Sequence, residues 1–146
     1  MQVKDMMSSH LITVDREETV AAAARLLSRH NVGALPVTAS GGRLVGMLTD
    51  RDITVRCVAA NFDPNITRVR TVMSSGAVTV NAEESGLGAA RTMGKHRVRR
   101  LPVTQDGKLV GMLSQGDLAV CADQGEEAAQ AFRTVFESDG MEETQP

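Results

Sequence analysis

The chain has very few aromatic side chains. Its 146 residues include no Trp, no Tyr and three Phe, although hydrophobic residues make up 42% of the sequence. The core must therefore be built from Val, Leu, Ala and Met. Single-stranded nucleic acids bind proteins largely by stacking their bases on aromatic rings, so the composition argues against that class of ligand.

Cysteines and long apolar runs are also scarce. Cys57 and Cys121 are too far apart for a CxxC motif, and two cysteines are typical of a reduced compartment. We expect both to be small core residues, with a redox or metal role as the alternative. No apolar run approaches the roughly 18 residues of a membrane span, and the N-terminus lacks a signal-peptide stretch. The expected location is the cytoplasm, with no membrane partner.

The chain has no large net charge, but its charges are unevenly distributed. The total is −2, whereas residues 123–146 alone hold seven acids and one base. The remaining 122 residues are mildly basic, but the net charge of −2 predicts no general attraction to nucleic acid or membranes. The densest basic run is Lys95–Arg100, for which a solvated face is expected and nucleic-acid binding is the alternative.

Catalytic and metal-binding patterns are missing from the sequence. The three histidines, His10, His30 and His96, have no ligand spacing, and no Ser/His/Asp or Cys/His arrangement is visible. We therefore expect no enzyme activity, no catalytic cofactor and no metal site.

What the chain does contain is an internal repeat. Residues 35–52 read LPVTASGGRLVGMLTDRD, and residues 101–117 read LPVTQDGKLVGMLSQGD. Upstream residues match at an offset of 66, and the offset falls to 65 where ASGGR is one residue longer than QDGK. The predicted organisation is repeat 1 at 1–60, a linker at 61–68, repeat 2 at 69–122, and an acidic tail at 123–146 with a short amphipathic helix.

Each repeat has the pattern β-α-β-β-α. In repeat 1, we predict strands at 11–14, 34–38 and 44–48. A helix follows Asp15, and a second helix begins near Thr49 and buries Ile53, Cys57 and Ala60. The second copy has its elements at 77–80, 85–95, 100–104, 109–113 and 115–122. One face of such a three-stranded sheet stays uncovered, so we expect an α/β (α+β) fold in which the repeats pack sheet to sheet about a pseudo-two-fold axis.

The two copies resemble a known family. HNVGALPVTASGGRLVGMLTDRDI and HRVRRLPVTQDGKLVGMLSQGDL look like the second halves of two cystathionine β-synthase (CBS) domains, and the resemblance covers about residues 1–122. Such a tandem pair, or Bateman module, occurs in small stand-alone bacterial proteins. The resemblance implies a non-catalytic regulatory module, for example in energy sensing. It would bind AMP, ADP, ATP or a related adenosyl ligand between the repeats, often as a homodimer.

The motif [ST]-x-x-D occurs once in each copy, as Thr49–Asp52 and Ser114–Asp117. The hydroxyl and carboxylate are suited to capping a helix. For one copy alone the cap is favoured, but the same groups also suit a ligand, because a helix N-terminus attracts phosphate and a carboxylate can accept both ribose hydroxyls. Recurrence in both copies favours the ligand role. Gly46 and Gly111 lie within apolar strands, which indicates close backbone approach.

The resemblance implies two composite clefts. One would combine Ile12, Gly33 and Ala34 with Ser114–Asp117, and the other Val78, Arg99 and Arg100 with Thr49–Asp52. The second cleft would then prefer ligands with more phosphate. The full set of expected ligand-binding residues is Ile12, Gly33, Ala34, Pro36, Thr49, Arg51, Asp52, Val78, Arg99, Arg100, Pro102, Ser114, Gln115 and Asp117.

The sequence leaves three classes of function open. The adenosyl-ligand sensor is favoured, a dimeric interaction or scaffold protein with little ligand affinity is the alternative, and a nucleic-acid binder is least favoured. The tail carries an apolar helical face, which we expect to dock on its own module or on a partner: Ala128, Ala131, Phe132, Val135 and Phe136.

Overall fold

The computed structural model describes residues 1–121 as a mixture of short helices and two small sheets. It divides the chain into two compact units. The repeat-1 unit is Ile12–Ala77, and the repeat-2 unit combines Met1–Leu11 with the described residues from Val78 to Cys121. The helix expected in the tail lies outside the described residues.

The repeat-1 unit contains a four-stranded sheet in the order β1-β2-β3-β4, with β1 parallel to β2 and the other pairs antiparallel. Its core is formed mainly by Val, Leu and Ala side chains. Its elements are β1 (Val14–Asp15), α2 (Val20–His30), β2 (Ala34–Ala39), β3 (Arg43–Thr49), α3 (Asp50–Ile53) with a π-helical continuation at Thr54–Val58, α4 (Val69–Val72) and β4 (Ser74–Ser75).

The repeat-2 unit contains a three-stranded sheet in the order β5-β6-β7, with the same parallel and antiparallel pairing. Its core is again aliphatic, with Met6 and Met93 added. Its elements are α1 (Val3–Met6), β5 (Val80–Asn81), α5 (Gly86–His96), β6 (Arg100–Gln105), β7 (Lys108–Ser114) and α6 (Gln115–Cys121).

The N-terminal segment of each repeat belongs to the unit of the other repeat. Val3 in α1 is completely buried in the core of the repeat-2 unit, and Val69 in α4 is completely buried in the core of the repeat-1 unit. Equivalent bridges, Gln2 with Ser85 and Thr19 with Arg68, join each segment to its unit. This exchange is not visible in the sequence, because a helix of four residues is too short to show an apolar stripe.

Two glycines make the exchange possible. A Cβ atom at Gly46 would stand 2.5 Å from the Ser74 carbonyl oxygen, and one at Gly111 would stand 2.9 Å from that of Ser8. In both units, therefore, the exchanged segment lies directly against the strand glycine. The expected close backbone approach is confirmed.

Most of the expected elements are present, with two differences. The strands expected at 11–14 and 77–80 are instead Val14–Asp15 and Val80–Asn81. Cys57 is fully buried, as expected, but Ala60 is exposed. The prediction for Ala60 was wrong because the helical segment ends at Val58 and the chain then turns, reaching a positive φ of 61° at Asn61.

Candidate functional site

The [ST]-x-x-D motif of each unit lies at the edge of its sheet where β2 or β6 begins. Because β2 and β3 are antiparallel, Ala34 at the start of β2 pairs with Thr49 at the end of β3. In the same way, Arg100 pairs with Ser114. The preceding residues, Gly33 and Arg99, are therefore next to the motif of their own unit.

In the repeat-1 unit the motif forms a complete capping box. The Asp52 N–H donates to Thr49 Oγ1 at 3.0 Å, and the Thr49 N–H donates to Asp52 Oδ2 at 3.0 Å. The Asp50 N–H donates to the Gly33 carbonyl at 3.1 Å, and the Arg51 N–H donates to Asp50 Oδ1 at 2.8 Å. All four backbone N–H groups from Thr49 to Asp52 are thus satisfied within the protein.

Asp52 also has a cationic neighbour. Its carboxylate is buried, with the residue 8% exposed, and Oδ1 lies 3.7 Å from Nη1 of Arg56. The same Nη1 donates to the carbonyls of Val72 and Met73 and to Ser74 Oγ, each at 3.1 Å. Arg56 therefore connects the motif to the exchanged segment around α4.

The motif of the repeat-2 unit has the same cap but different surroundings. The Ser114 N–H donates to Asp117 Oδ2 at 2.8 Å, and the Asp117 N–H donates to Ser114 Oγ at 3.1 Å. The Gln115 N–H donates to the Arg99 carbonyl at 2.8 Å. Within residues 1–121, the Gly116 N–H has no acceptor.

Charge distinguishes the two motifs most clearly. Asp50 stands where the repeat-2 unit has Gln115, and its carboxylate faces Gly33, where a Cβ would be 3.7 Å from Oδ2. The repeat-2 unit has Arg99 in the position of Gly33, and both Arg99 and Arg100 are exposed. An anion would therefore meet both the Asp50 carboxylate and the exposed Arg51 guanidinium at the Thr49 motif, but the two guanidinium groups of Arg99 and Arg100 beside the Ser114 motif.

The structure brings the expected ligand residues into two sets, one in each unit. Gly33, Ala34, Thr49, Arg51 and Asp52 lie together in the repeat-1 unit, and Arg99, Arg100, Ser114, Gln115 and Asp117 lie together in the repeat-2 unit. Ile12 and Val78 pack against the cores of their own units, and Pro36 and Pro102 are buried within strands. The pairing of these residues across the two repeats stays a prediction.

Sequence reasoning missed two residues of the site. Asp50 lies inside the motif, and its position after the cap residue Thr49 marks it as an acid in the first helical turn. Arg56 follows Asp52 by four residues, a spacing at which oppositely charged side chains meet on a helix. That spacing predicts the Arg56–Asp52 ion pair from the sequence.

A cavity of about 330 Å³ lies elsewhere on the repeat-1 unit, beside β1 and α2. None of the expected ligand residues lines it. Its lining residues are Thr13, Val14, Glu18, Ala22, Arg25, Leu26 and Arg29.

Residues 1–121 contain neither a candidate metal site nor a candidate membrane span. No group of three or more His, Cys, Asp or Glu side chains is arranged to hold a metal ion in this part of the chain. Of the helices described, none is long and apolar enough to cross a membrane.

Known proteins resemble the chain over almost its whole length. The chain is 42% identical to the CBS domain-containing protein YhcV of Bacillus subtilis over 133 residues, which are 91% of this chain and 94% of that protein. The structure of Hypoxic Response Protein I with two coordinated zinc ions superposes with a TM-score of 0.77 at 36% identity. The match covers 82% of this chain and 98% of that one.

Two further structural neighbours were determined with adenosyl ligands. One is CBSX2 in complex with AMP (TM-score 0.74, 28% identity, 84% of this chain and 96% of that one). The other is the CBS domain pair of protein MJ0100 in complex with 5′-methylthioadenosine and S-adenosyl-L-methionine (TM-score 0.74, 27% identity, 86% and 98%).

The family model for the CBS domain matches the chain twice, at residues 3–58 and 69–122. Both matches include the N-terminal segment, the strand pair and the [ST]-x-x-D motif described above. The chain therefore belongs to the CBS-domain family and carries two copies of the domain.

Proposed function

We propose that this protein is a non-catalytic regulatory module that binds adenosine nucleotides (AMP, ADP or ATP) or related adenosyl ligands at its two [ST]-x-x-D motifs. The observation that carries the proposal is the duplicated junction between strand and helix. At each junction a carboxylate and a hydroxyl lie beside the start of a neighbouring strand. The neighbours with AMP and with adenosyl ligands support the choice of ligand class.

The capping bonds are compatible with ligand binding. A carboxylate offers about four lone-pair sites, and Asp117 Oδ2 uses one of them for the Ser114 N–H. Oδ1 of Asp117 has no donor among the described residues. A ribose hydroxyl can therefore be accepted without breaking the cap.

The two sites should differ in the charge of the ligand they prefer. Arg99 and Arg100 lie beside the Ser114 motif, and arginine is suited to binding phosphate with two hydrogen bonds. In the Thr49 motif, the Asp50 carboxylate repels phosphate and offsets the attraction of the neighbouring Arg51. The charged residues around each motif in its own unit thus support a phosphate preference at the Ser114 motif. The pairing across the repeats implied the opposite, namely a phosphate preference at the Thr49 motif.

Thermal unfolding with a panel of ligands tests the proposal. A ligand present at 100 times its dissociation constant adds about 2.7 kcal/mol to the free energy of unfolding. We expect AMP, ADP, ATP or S-adenosylmethionine to raise the melting temperature, and guanosine and cytidine nucleotides to have little effect. A panel without any adenosine-specific shift would contradict the proposal.

A scaffold function is the second candidate, because several large apolar side chains are exposed. On the repeat-1 unit these are Val55, Val58, Phe62 and Ile66, with exposed fractions of 49%, 60%, 49% and 74%. Val120, the counterpart of Val55, is 74% exposed on the repeat-2 unit. Such residues favour association, and we propose a homodimer.

Sedimentation at micromolar concentration tests the dimer. We expect a species of twice 15.6 kDa, which Val58→Asp together with Phe62→Asp shifts toward the monomer. Arg43→Asp, a charge change at the exposed start of β3, serves as the control. A wild-type monomer would rule out the dimer, and a dimer without nucleotide binding would favour the scaffold.

A further inference from the structure

The basic run Lys95–Arg100 forms an exposed cationic surface at the end of α5. Lys95, His96, Arg97, Arg99 and Arg100 are all exposed. The first three surround the C-terminus of α5, with Arg97 as its left-handed C-cap at φ 54°, and cations are favourable at a helix C-terminus. The helix C-terminus explains in part why residues 95, 96 and 97 are basic, but it does not explain why Arg99 and Arg100 are.

Four residues of this surface take no part in the ion pairs of the described chain. Lys95, His96, Arg97 and Arg100 form none of the ion pairs found among residues 1–121. Repeat 1 has no such surface, because Asn31, Gly33 and Ala34 occupy the positions of Arg97, Arg99 and Arg100. The three arginines therefore distinguish repeat 2 from repeat 1.

A second feature also distinguishes the end of repeat 2, namely the acidic segment 123–146. It carries seven acids and one base, and it follows directly after α6. α6 is anchored in the same unit as the cationic surface, since Leu118 shares a core with Met93 of α5. The Gln115 N–H at the start of α6 also donates to the Arg99 carbonyl.

We propose that the acidic segment 123–146 docks on the cationic surface Lys95–Arg100 of its own chain. The charges are complementary, and the segment follows closely after α6, which belongs to the unit that carries the surface. Oppositely charged groups attract over about 10 Å at 0.1 M ionic strength and over about 3 Å at 1 M, so the contact should weaken as salt rises. If the Ser114 motif binds phosphate beside Arg99, as proposed above, the segment competes with the nucleotide for the same cations.

Carbodiimide cross-linking of the full-length protein tests this contact, because the reagent joins a carboxylate to a lysine amine without a spacer. The chain has three lysines, Lys4, Lys95 and Lys108, and all three are exposed. We expect mass spectrometry to find peptides of residues 123–146 joined mainly to Lys95, with Lys4 and Lys108 as internal controls. The Lys95 product should be lost at about 1 M salt.

A matched variant keeps the reporter lysine and removes the neighbouring charges. Arg97→Asn with Arg100→Ala introduces the residues of repeat 1, and Asn31 shows that Asn accepts the same left-handed conformation, at φ 51°. We expect this variant to lose most of the Lys95 product. Mixing ¹⁴N- and ¹⁵N-labelled protein separates links within a chain from links between chains.

Three results would each overturn the proposal. These are equal cross-link yields at the three lysines, an unchanged yield of the Lys95 cross-link in the variant, and cross-links formed only between chains. Added ATP should lower the yield at Lys95, whereas adenosine should not. A salt-sensitive link that ATP leaves unchanged would count against the phosphate site beside Arg99, and the contact of the tail would stand.

Discussion

At the scale of single residues, Asp52 and Asp117 have a capping role in the structure and a ligand role in the proposal. Substitution by asparagine separates the capping role from the ligand role, because the amide oxygen can still accept the capping hydrogen bond while the negative charge is lost. We expect Asp117→Asn to weaken adenosyl-ligand binding by about 1.5–3 kcal/mol, or roughly 10- to 150-fold. Titration calorimetry measures the loss, and Asp52→Asn tests the other motif.

The matched control for this pair is Ser114→Ala, which removes the cap itself. Loss of an N-terminal cap typically costs about 1 kcal/mol of stability, so this variant should melt earlier than Asp117→Asn. Affinity that stays unchanged in the double Asp52→Asn, Asp117→Asn variant would leave only the capping role.

Gly46 and Gly111 also have a role that a single substitution can expose. Alanine at Gly46 would place its Cβ 2.5 Å from the backbone oxygen of Ser74, and backbone cannot yield as a flexible side chain does. We expect Gly46→Ala and Gly111→Ala each to destabilise the protein by about 1–3 kcal/mol, measured by urea unfolding. Gly116→Ala is the control, since its Cβ would make only an ordinary contact, 3.5 Å from Ser114 Oγ; equal stability in all three variants would contradict the prediction.

At the scale of elements, the exchanged helices α1 and α4 make each unit depend on the other repeat's N-terminal segment. Val3 and Val69 are both completely buried, so truncation to alanine should cost about 2 kcal/mol. We expect Val3→Ala to lower hydrogen-exchange protection in β6 and β7, which belong to the other repeat, and Val69→Ala to do so in β2 and β3. Loss of protection confined to the repeat that carries the substitution would show the exchange to be wrong.

The elements that could be predicted are those with a sequence period. The spacing of Val20, Ala23, Ala24 and Leu27 at i, i+3, i+4 and i+7 predicts helix α2, and two apolar runs on either side of Ser40–Gly42 predict the hairpin β2–β3. Helices α1 and α4 have one turn each and show no period, although Val3 and Val69 were visible as a matched pair. Their place in the fold is decided by tertiary packing, which no local pattern reports.

At the scale of the whole molecule, duplication predicted the number of candidate sites and most of their residues. Duplication could not predict which residues surround each site, because those residues are brought there by the folding of the chain. Antiparallel pairing of β6 with β7 is what places Arg100 opposite Ser114. Two nearly identical motifs therefore have different electrostatic surroundings, because the charged residues around them differ between the repeats.

That difference leads to a prediction about the complete protein, namely two unequal sites. The Ser114 motif, with Arg99 and Arg100, should prefer nucleotides with more phosphate and lose affinity as salt rises. The Thr49 motif, with Asp50, should prefer adenosine or an adenosyl sulfonium compound. If one arginine contacts phosphate, the preference amounts to about 1.5–3 kcal/mol, or roughly 10- to 150-fold.

Titration calorimetry with ATP and adenosine at low and high salt measures this difference. Arg99→Ala with Arg100→Ala should remove the salt dependence of ATP binding. Asp50→Gln, which gives the Thr49 motif the residue type of Gln115, should strengthen ATP binding there because a repulsive carboxylate is replaced by a neutral amide of similar reach. Two sites with the same salt dependence in all three proteins would mean that neither the arginines nor Asp50 faces the ligand, and the sites would then be equivalent.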